Sequence, residues 1–354
     1  MTISKDFEGG NIRVVSIEEE HVRLECELRD TEGDWFYWAF RVQGAAGKKV
    51  RFDFAPKDRV GSFGAAVSRD FVHWTWGGVP DEEFTSFTYE FGPEEDDVYF
   101  CHSLPYSTER FARFADELSL PVTELCRSEQ GRSVPMATMG EGETVWLLTS
   151  RHHCCESTGT YVMEGILAEL SEGLPEGVRV IAVPFMDMDG VVNGDQGKNR
   201  APHDHNRDYI DEPVYETVRS IQALAGREKI AFMVDLHAPY HREDRYPFEV
   251  RKNRAMRPAQ ERFSELLAAE CAEDAKAFRY VSGHDMDVGV SWNKEDVMSA
   301  ASTGFFAHRE GMKLCMTMET PYYGTEDNTA TQDGLIRYGR CMARALRAAH
   351  SELR

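Results

Sequence analysis

The pattern of apolar residues changes near residue 106, and this change constrains the fold more than any other feature of the chain. Before it, short segments alternate apolar with polar or aromatic residues, as in HVRLECEL (21–28), WFYWAFRV (35–42), KKVRFDFA (48–55) and FTSFTYEF (84–91). Gly-containing turn sequences such as VQGAAGKKV separate them. Period-two alternation with turns between predicts strands, so residues 1–106 are expected to form an all-β sandwich domain.

After residue 106, buried strands alternate with amphipathic helices. The predicted strands are 144–150, 178–186, 229–237 and 313–320. The predicted helices are 107–118, 159–170, 212–224, 259–272 and 329–350. This order predicts an α/β domain over 107–354, with a mixed, mostly parallel sheet that helices cover on both faces.

Composition excludes some classes of function. The 354 residues, enough for two domains, include 40 Lys and Arg against 61 Asp and Glu, which gives a formal net charge of −21. Such a charge repels phosphate backbones, so no nucleic-acid partner is expected. The chain has no apolar run of about 18 residues and starts with MTISKDFEGG, which lacks the features of a secretory signal. These features, and eight scattered cysteines without a CxxC pair, predict a cytoplasmic protein with no membrane partner.

Polar residues follow four of the predicted strands. The sequences are RHHCCE (151–156), DMDG (187–190) with the later HNRDY (205–209), LHAPYHRED (236–244) and ETPYYG (319–324). Because ligands bind at the carboxyl ends of strands in such sheets, these residues predict a functional site.

A metal centre is the most specific prediction that these strand-end residues support. His153 and Glu156 are three residues apart, and His237 ends a separate apolar strand. Two imidazoles and one carboxylate would leave the fourth position of zinc open, as in a catalytic site. Each signal is weak alone, because HxxE is common by chance and a His at a strand end is more often a hydrogen-bonded core residue. Cys154 and Cys155 are alternative ligands, although adjacent side chains point apart.

Several segments together resemble the zinc carboxypeptidase family, and within it the cytosolic carboxypeptidase branch. RHHCCE resembles the Arg-x-His-Pro-Gly-Glu segment, with CC in place of Pro-Gly, and VDLHAPY resembles Asp-Leu-His-Gly. The family's Asn-Pro-Asp-Gly-Val stretch, which ends in an Arg, resembles MDMDGVVNGDQGKNR. Its Leu-Asn-Arg element resembles DHNRDY, and the strand of its catalytic Glu resembles MTMETPYYG. The β-rich N-terminal part looks like the domain that precedes catalysis in that branch.

The resemblance implies one Zn²⁺ per chain, held by His153, Glu156 and His237. It implies that Glu319 is the general base and that Asp204 orients the first His ligand. When bound, zinc would lower the pKa of its water to about 7 and polarise the scissile carbonyl. A carboxylate beside that water can take its proton and pass it to the leaving amine.

The resemblance also implies how the substrate is bound. Asn206 and Arg207 match the pair that holds the terminal carboxylate of a peptide, and Arg200 matches the Arg that stabilises the oxyanion. The implied activity is removal of a C-terminal residue from a peptide or protein tail, with an acidic tail as a narrower hypothesis. The side-chain preference is expected to depend on a residue in 275–310.

Two other functions remain open at this point. One is a zinc amidohydrolase on small N-acyl amino acids, similar to aspartoacylase and the desuccinylases, although those relatives lack a preceding β domain. The other is a non-catalytic peptide- or glycan-binding protein, which would not need Glu319. His203, His205 and His241 could line the pocket or bind a second metal.

Overall fold

The computed structural model describes residues 1–241, 246–251, 253–294 and 300–353. Its first part is built from ten strands, none longer than six residues. They are β1 (Thr2–Ser4), β2 (Arg13–Glu18), β3 (His21–Glu25), β4 (Ala39–Gln43), β5 (Lys49–Asp53), β6 (Ala65–Ser68), β7 (Thr75–Gly77), β8 (Val79–Pro80), β9 (Ser86–Glu90) and β10 (Asp97–Cys101). They form two five-stranded sheets with the orders β1-β4-β10-β6-β7 and β2-β3-β5-β9-β8.

Aromatic side chains fill the core of this β domain. Trp38, Phe40, Phe52, Phe87 and Phe100 are fully buried, and their ring centroids lie 5.0–5.8 Å apart where they pair. They occupy alternate positions of their strands or strand ends, so one face of each strand points inward. Buried aromatic rings of this size supply much of the hydrophobic stabilisation of a small domain.

The remainder of the described chain is a mixed α/β unit. Its helices are α1 (Thr108–Glu117), α2 (Thr158–Ser171), α3 (Met188–Asn193), α4 (Glu216–Arg227), α5 (Arg257–Glu273), α6 (Ser302–Phe306) and α7 (Gln332–Glu352). Its strands are β11 (Val122–Arg127), β12 (Ser133–Met139), β13 (Thr144–Ser150), β14 (Val178–Val183), β15 (Lys229–His237), β16 (Phe248–Val250), β17 (Leu314–Glu319), β18 (Gly324–Thr325) and β19 (Asn328–Thr329). We propose the boundary between this unit and the β domain at residues 106 and 107, just before α1.

A seven-stranded sheet with the order β11-β12-β14-β13-β15-β17-β16 is the frame of this unit. The four neighbours β14, β13, β15 and β17 run parallel, and antiparallel pairs flank them. Apolar residues of α2, α5 and α7 cover one face, and those of α4 and α6 cover the other. The predicted mixed sheet with helices on both faces is confirmed. None of the helices in the described ranges combines the length and apolar character needed to span a bilayer.

The predicted elements agree with the observed ones except where tertiary contacts intervene. The predicted helix 212–224 begins only at Glu216, because the Asp208 carboxylate accepts the backbone N–H groups of Val214 and Tyr215 at 2.9 Å and holds this approach extended. The strand predicted over 178–186 ends at Val183. The hairpin β11–β12 and the short helices α3 and α6 were not predicted.

The β domain is joined to the α/β unit through the loop 194–201. Asp30 accepts the backbone N–H groups of Gln196 at 3.0 Å and Gly197 at 2.8 Å. The Gln196 amide pairs with both backbone groups of Tyr37 at 2.8 Å. This loop leads directly into the polar strand-end region described next.

Candidate active site

Two imidazoles and one carboxylate meet where β13 and β15 end. His153 Nδ1 lies 2.8 Å from Glu156 Oε1, and His237 Nδ1 lies 2.8 Å from Glu156 Oε2. One potential ligand atom from each residue lies within 4.8 Å of the others. All three side chains are buried or nearly so, with 1–13% of each exposed. The three ligands suggested by the sequence are therefore close enough to share one ion.

The other nitrogen of each imidazole contacts an aspartate. His153 Nε2 lies 3.3 Å from Asp204 Oδ1, and His237 Nε2 lies 2.9 Å from Asp235 Oδ2. Such contacts orient metal-ligating histidines and leave the remaining nitrogen directed at the ion. Asp204 is thus where the sequence analysis expected it, whereas the partner of His237 was not predicted.

The electrostatics of the three residues suit a cation. Burial alone would raise the pKa of Glu156, but Lys198, His153 and His237 hold the pKa of this carboxyl well below its usual range. Burial would lower the pKa of His237, but Asp235 and Glu156 raise it well above the usual value. The excess of carboxylate oxygens around the two imidazoles favours a bound positive charge.

A second cluster of metal-ligating residue types lies beside the first. It comprises His152, Asp235 and His237. The Asp235 carboxylate accepts a hydrogen bond from Thr149 Oγ1 at 2.8 Å and contacts Ser302 Oγ, and His152 Nε2 lies 2.8 Å from the Tyr209 hydroxyl. Because its polar atoms are paired within the protein, we interpret this cluster as a hydrogen-bond network that supports His237.

The turn between the first two ligands is fixed without the Pro-Gly of the family motif. Arg151 adopts a φ of +63° and its buried guanidinium donates to the backbone oxygens of Cys154 and Tyr106. The Cys154 thiol lies 3.1 Å from Asp195 O, and Cys155 Sγ lies 3.7 Å from the Tyr322 hydroxyl. Both thiols therefore have other partners, and burial raises the pKa of Cys155 to about 12.

The three candidate metal ligands line a cleft of about 230 Å³. Its walls are formed by Trp35, His153, Glu156, Lys198, Asn199, Asp204, Asn206, Arg207, His237, Ala238, Pro239, Tyr240, Trp292, Ala301, Thr317 and Glu319. Trp35 belongs to the β domain, which thus contributes one wall. Trp292 and Ala301 come from the segment 275–310, and residues 295–299 of that segment lie outside the described residues.

Glu319, Asn206 and Arg207 all reach this cleft. Glu319 ends β17 directly opposite His237 of β15, with 7% of the residue exposed. Asn206 Oδ1 accepts the Ser302 N–H at 3.0 Å, and the Arg207 guanidinium donates to Asn206 O at 2.9 Å. A carboxylate, an amide and a guanidinium therefore surround the space in front of the candidate metal ligands.

Arg200 lies elsewhere. Its guanidinium pairs with Asp187 and, at 2.8 Å, with Asp195 Oδ2, and it is absent from the walls of the cleft. Besides Arg207, Lys198 is a cation that lines the cleft, and its ammonium contacts Glu156 Oε1. The site residues expected from the sequence included Arg200 but not Lys198. The one local signal was Gly197 before it, a residue that permits close backbone approach.

The additional histidines do not join the candidate metal centre. His203 Nε2 lies 2.8 Å from Arg207 O, and the ring of His205 stacks on Tyr215 with centroids 3.6 Å apart. Burial, followed by the charge of Arg200, lowers the pKa of His205 well below its usual value. In the described ranges, neither of the two possible metal-binding groups includes His203, His205 or His241.

Comparisons with known proteins extend these observations. The family model described as the cytosolic carboxypeptidase N-terminal domain matches residues 3–102. An uncharacterized protein of Zymomonas mobilis is 29% identical over 259 residues, 67% of each chain. Cytosolic carboxypeptidase 6 of Homo sapiens is 23% identical over 73% of this chain and 56% of its own length. Cytosolic carboxypeptidase 2 of Danio rerio is 25% identical over 55% of this chain and 31% of its own length. The chain therefore spans from about a third to just over half of the length of these two relatives.

Two solved structures have the same fold along the whole chain. The metallo-carboxypeptidase from Burkholderia cenocepacia has a TM-score of 0.83 at 22% identity and covers 100% of this chain and 99% of its own. The metallo-carboxypeptidase from Pseudomonas aeruginosa, solved with (2-guanidinoethylmercapto)succinic acid, has a TM-score of 0.82 at 22% identity with 100% coverage of both chains. Residues 3–102 therefore match the N-terminal domain of cytosolic carboxypeptidases, and the whole chain has the fold of these two metallo-carboxypeptidases.

Proposed function

We propose that this protein is a zinc-dependent metallo-carboxypeptidase that hydrolyses the C-terminal peptide bond of a peptide or protein tail. The observation that carries the proposal is the convergence of His153 Nδ1, His237 Nδ1 and Glu156 in one cleft with Glu319 and Arg207. A closed structural metal site would need no such cleft, and an endopeptidase would need no carboxylate-binding cation at its end.

The donor set fits zinc. Two imidazole nitrogens and one carboxylate are a common ligand set of catalytic zinc, and the family contains zinc enzymes. His153, Glu156 and His237 would hold the ion, one per chain, while Asp204 and Asp235 keep the two imidazoles in orientation. When bound, zinc would supply Lewis acidity toward the scissile carbonyl and toward a water molecule.

Arg207 and Asn206 would select the substrate end. A guanidinium binds a carboxylate through two parallel N–H donors, which an amidated terminus cannot match. The Asn206 side chain is fixed from behind by the Ser302 N–H, so its amide is held at the cleft wall. This pair would place the last peptide bond, and no other, in front of Glu319.

Glu319 would move the proton. As the water oxygen bonds to the carbonyl carbon, the Glu319 carboxylate takes one water proton and the carbonyl π pair moves to its oxygen. When the C–N bond breaks, the proton passes from Glu319 to the leaving amine. The products are a peptide shortened by one residue and a free amino acid, so atoms and charges balance.

The kinetic test compares variants of Glu319 and Arg207, which are expected to change different kinetic constants. Glu319→Gln keeps the shape but removes the base, so kcat should fall by about 10²–10⁴ while zinc remains bound. Arg207→Ala should mainly raise KM, because it removes binding of the terminal carboxylate. Asp96→Ala, an exposed change in the β domain, is the control. Full activity of zinc-loaded Glu319→Gln would show the base assignment to be wrong.

A further inference from the structure

We propose that the Lys198 ammonium, and not Arg200, stabilises the negative charge that develops on the carbonyl oxygen during hydrolysis. The inference rests on the proposed carboxypeptidase function and names the group that acts as the cation of that site. It also gives the β domain a part in catalysis, because that domain holds the loop that carries Lys198.

Arg200 forms ion pairs that hold its guanidinium away from the cleft. Its two terminal nitrogens pair with Asp187 and Asp195, and only 11% of its side chain is exposed. Asp187 in turn caps α3 by accepting the Gly190 N–H at 2.8 Å. Turning Arg200 toward the cleft would remove the guanidinium that pairs with the buried Asp187 and would leave Asp195 with Arg29 alone, which is unfavourable for buried carboxylates.

Lys198 already points into the site. Its ammonium contacts Glu156 Oε1 and donates to Ala238 O at 3.2 Å, so it lies between the candidate metal ligands and the cleft wall next to His237. The side chain is 12% exposed and borders the same cleft as Glu319. A cation on this wall faces the space that a polarised carbonyl oxygen must occupy beside the metal ligands, where low dielectric strengthens its effect.

The backbone around Lys198 leaves its loop little freedom. Gly197 has a φ of +79°, and a Cβ at this position would lie 2.4 Å from Cys154 N, inside the turn between the two metal ligands. Asp30 accepts the N–H of Gly197, and Asp204 accepts the N–H of Asn199 at 3.2 Å. The residues on both sides of Lys198 are thus tied to the β domain and to the metal-site framework, which keeps the ammonium in place without rearrangement during the reaction.

The step requires no proton from Lys198. As the water oxygen adds to the carbonyl carbon, the π electron pair moves to the carbonyl oxygen, and the ammonium interacts with that charge while keeping its three protons. When the C–N bond breaks, the electron pair returns and the interaction weakens. Glu319 alone carries the transferred proton. The contribution of Lys198 is therefore larger in the transition state than in the bound substrate, which predicts an effect on kcat rather than on KM.

The experiment compares Lys198→Met, Lys198→Arg and the exposed control Lys49→Met in the zinc-loaded full chain. The measurements are kcat, KM, zinc affinity by chelator competition, and calorimetric affinity for a phosphinic peptide that imitates the tetrahedral state. For Lys198→Met, kcat should fall by about 10²–10³, with KM within about threefold. Phosphinate affinity should fall in parallel with kcat/KM, Lys198→Arg should recover part of both, and Lys49→Met should match wild type.

Three results would overturn the inference. If Lys198→Met keeps kcat and phosphinate affinity within about threefold of wild type, Lys198 does not stabilise the transition state. If its losses vanish once zinc occupancy is restored, Lys198 serves only as a partner of Glu156. If the zinc-loaded wild-type protein cleaves no peptide, the proposed function fails first and the inference with it, so the two failures are distinguishable.

Discussion

Replacement of Asp30, a residue of the β domain, by Ala should destabilise the loop 194–201, which carries cleft residues of the α/β unit. Asp30 is 8% exposed, and its carboxylate accepts the N–H groups of Gln196 at 3.0 Å and Gly197 at 2.8 Å. The truncation leaves both donors without this acceptor. Each buried backbone N–H that loses its partner costs about 1–3 kcal/mol, so the loop should lose about 4 kcal/mol of local stability.

Hydrogen exchange measures this loss at the two amides. A free energy of about 4 kcal/mol corresponds to a factor of about 10³, so amides 196 and 197 should exchange about 10³-fold faster in Asp30→Ala. Asp30→Asn keeps one acceptor oxygen and should show about half of the free-energy loss. Because the same loop carries Lys198, kcat should decrease in the same order, with KM changing less.

The matched control is Asp96→Ala, which removes an exposed carboxylate of the same domain. Its amides 196 and 197 should exchange as in wild type. The reasoning is refuted if exchange at these amides in Asp30→Ala stays within about threefold of wild type. It is also refuted if exchange accelerates as expected while kcat is unaltered, since the loop would then not position a catalytic group.

Three further predictions concern the metal site and the pH dependence of stability. Asp204→Ala should weaken zinc affinity about 10–100-fold, measured by competition with a chelating dye, because His153 Nε2 loses its partner; unchanged affinity would contradict the orienting role. Zinc at about 1,000 times its Kd should stabilise the wild-type fold by about 4 kcal/mol, seen as a higher Tm, and should not stabilise Glu156→Ala. Burial, followed by the charge of Asp285, raises the pKa of Glu249 to about 8 from its ordinary value of 4.5. The folded chain therefore holds a proton that the unfolded chain releases, so the free energy of unfolding should fall between about pH 5 and pH 8, by at most about 1.4 kcal/mol per pH unit. Glu249→Gln should flatten that fall in urea titrations, and an unaltered slope would contradict a protonated Glu249.

Local sequence patterns were sufficient to predict the elements whose apolar residues form a clear local pattern. The strands β13 and β15 were predicted with the bounds that the structure has, because continuous apolar runs fit only buried strands here. The hairpin β11–β12 was missed because β11 lies at the sheet edge, where most of its side chains are at least partly exposed and carry no alternation. The late start of α4 depends on Asp208, a contact that no local pattern reveals.

The candidate site divides in a similar way. His153, Glu156, His237, Asp204 and Glu319 follow strand ends in motifs of definite spacing, and they lie where the motifs suggested. Arg200 was expected at the site because motif matching follows residue type. Arg200 instead pairs with Asp187 and Asp195 outside the cleft. The close approach of Gly197 to Cys154 brings the neighbouring Lys198 to the cleft wall. These contacts are tertiary, and the sequence pattern around Lys198 does not contain them.

The central claim is that this cleft removes one residue from a free C-terminus with the help of a bound metal. The most direct test gives the zinc-loaded protein a mixed peptide library with free C-termini and the same peptides as C-terminal amides, and identifies the products by mass spectrometry. The account predicts loss of single C-terminal residues from the free peptides, none from the amides, and none in the presence of a zinc chelator. Internal cleavage, equal cleavage of the amides, or activity that survives the chelator with no zinc left in the protein would contradict it.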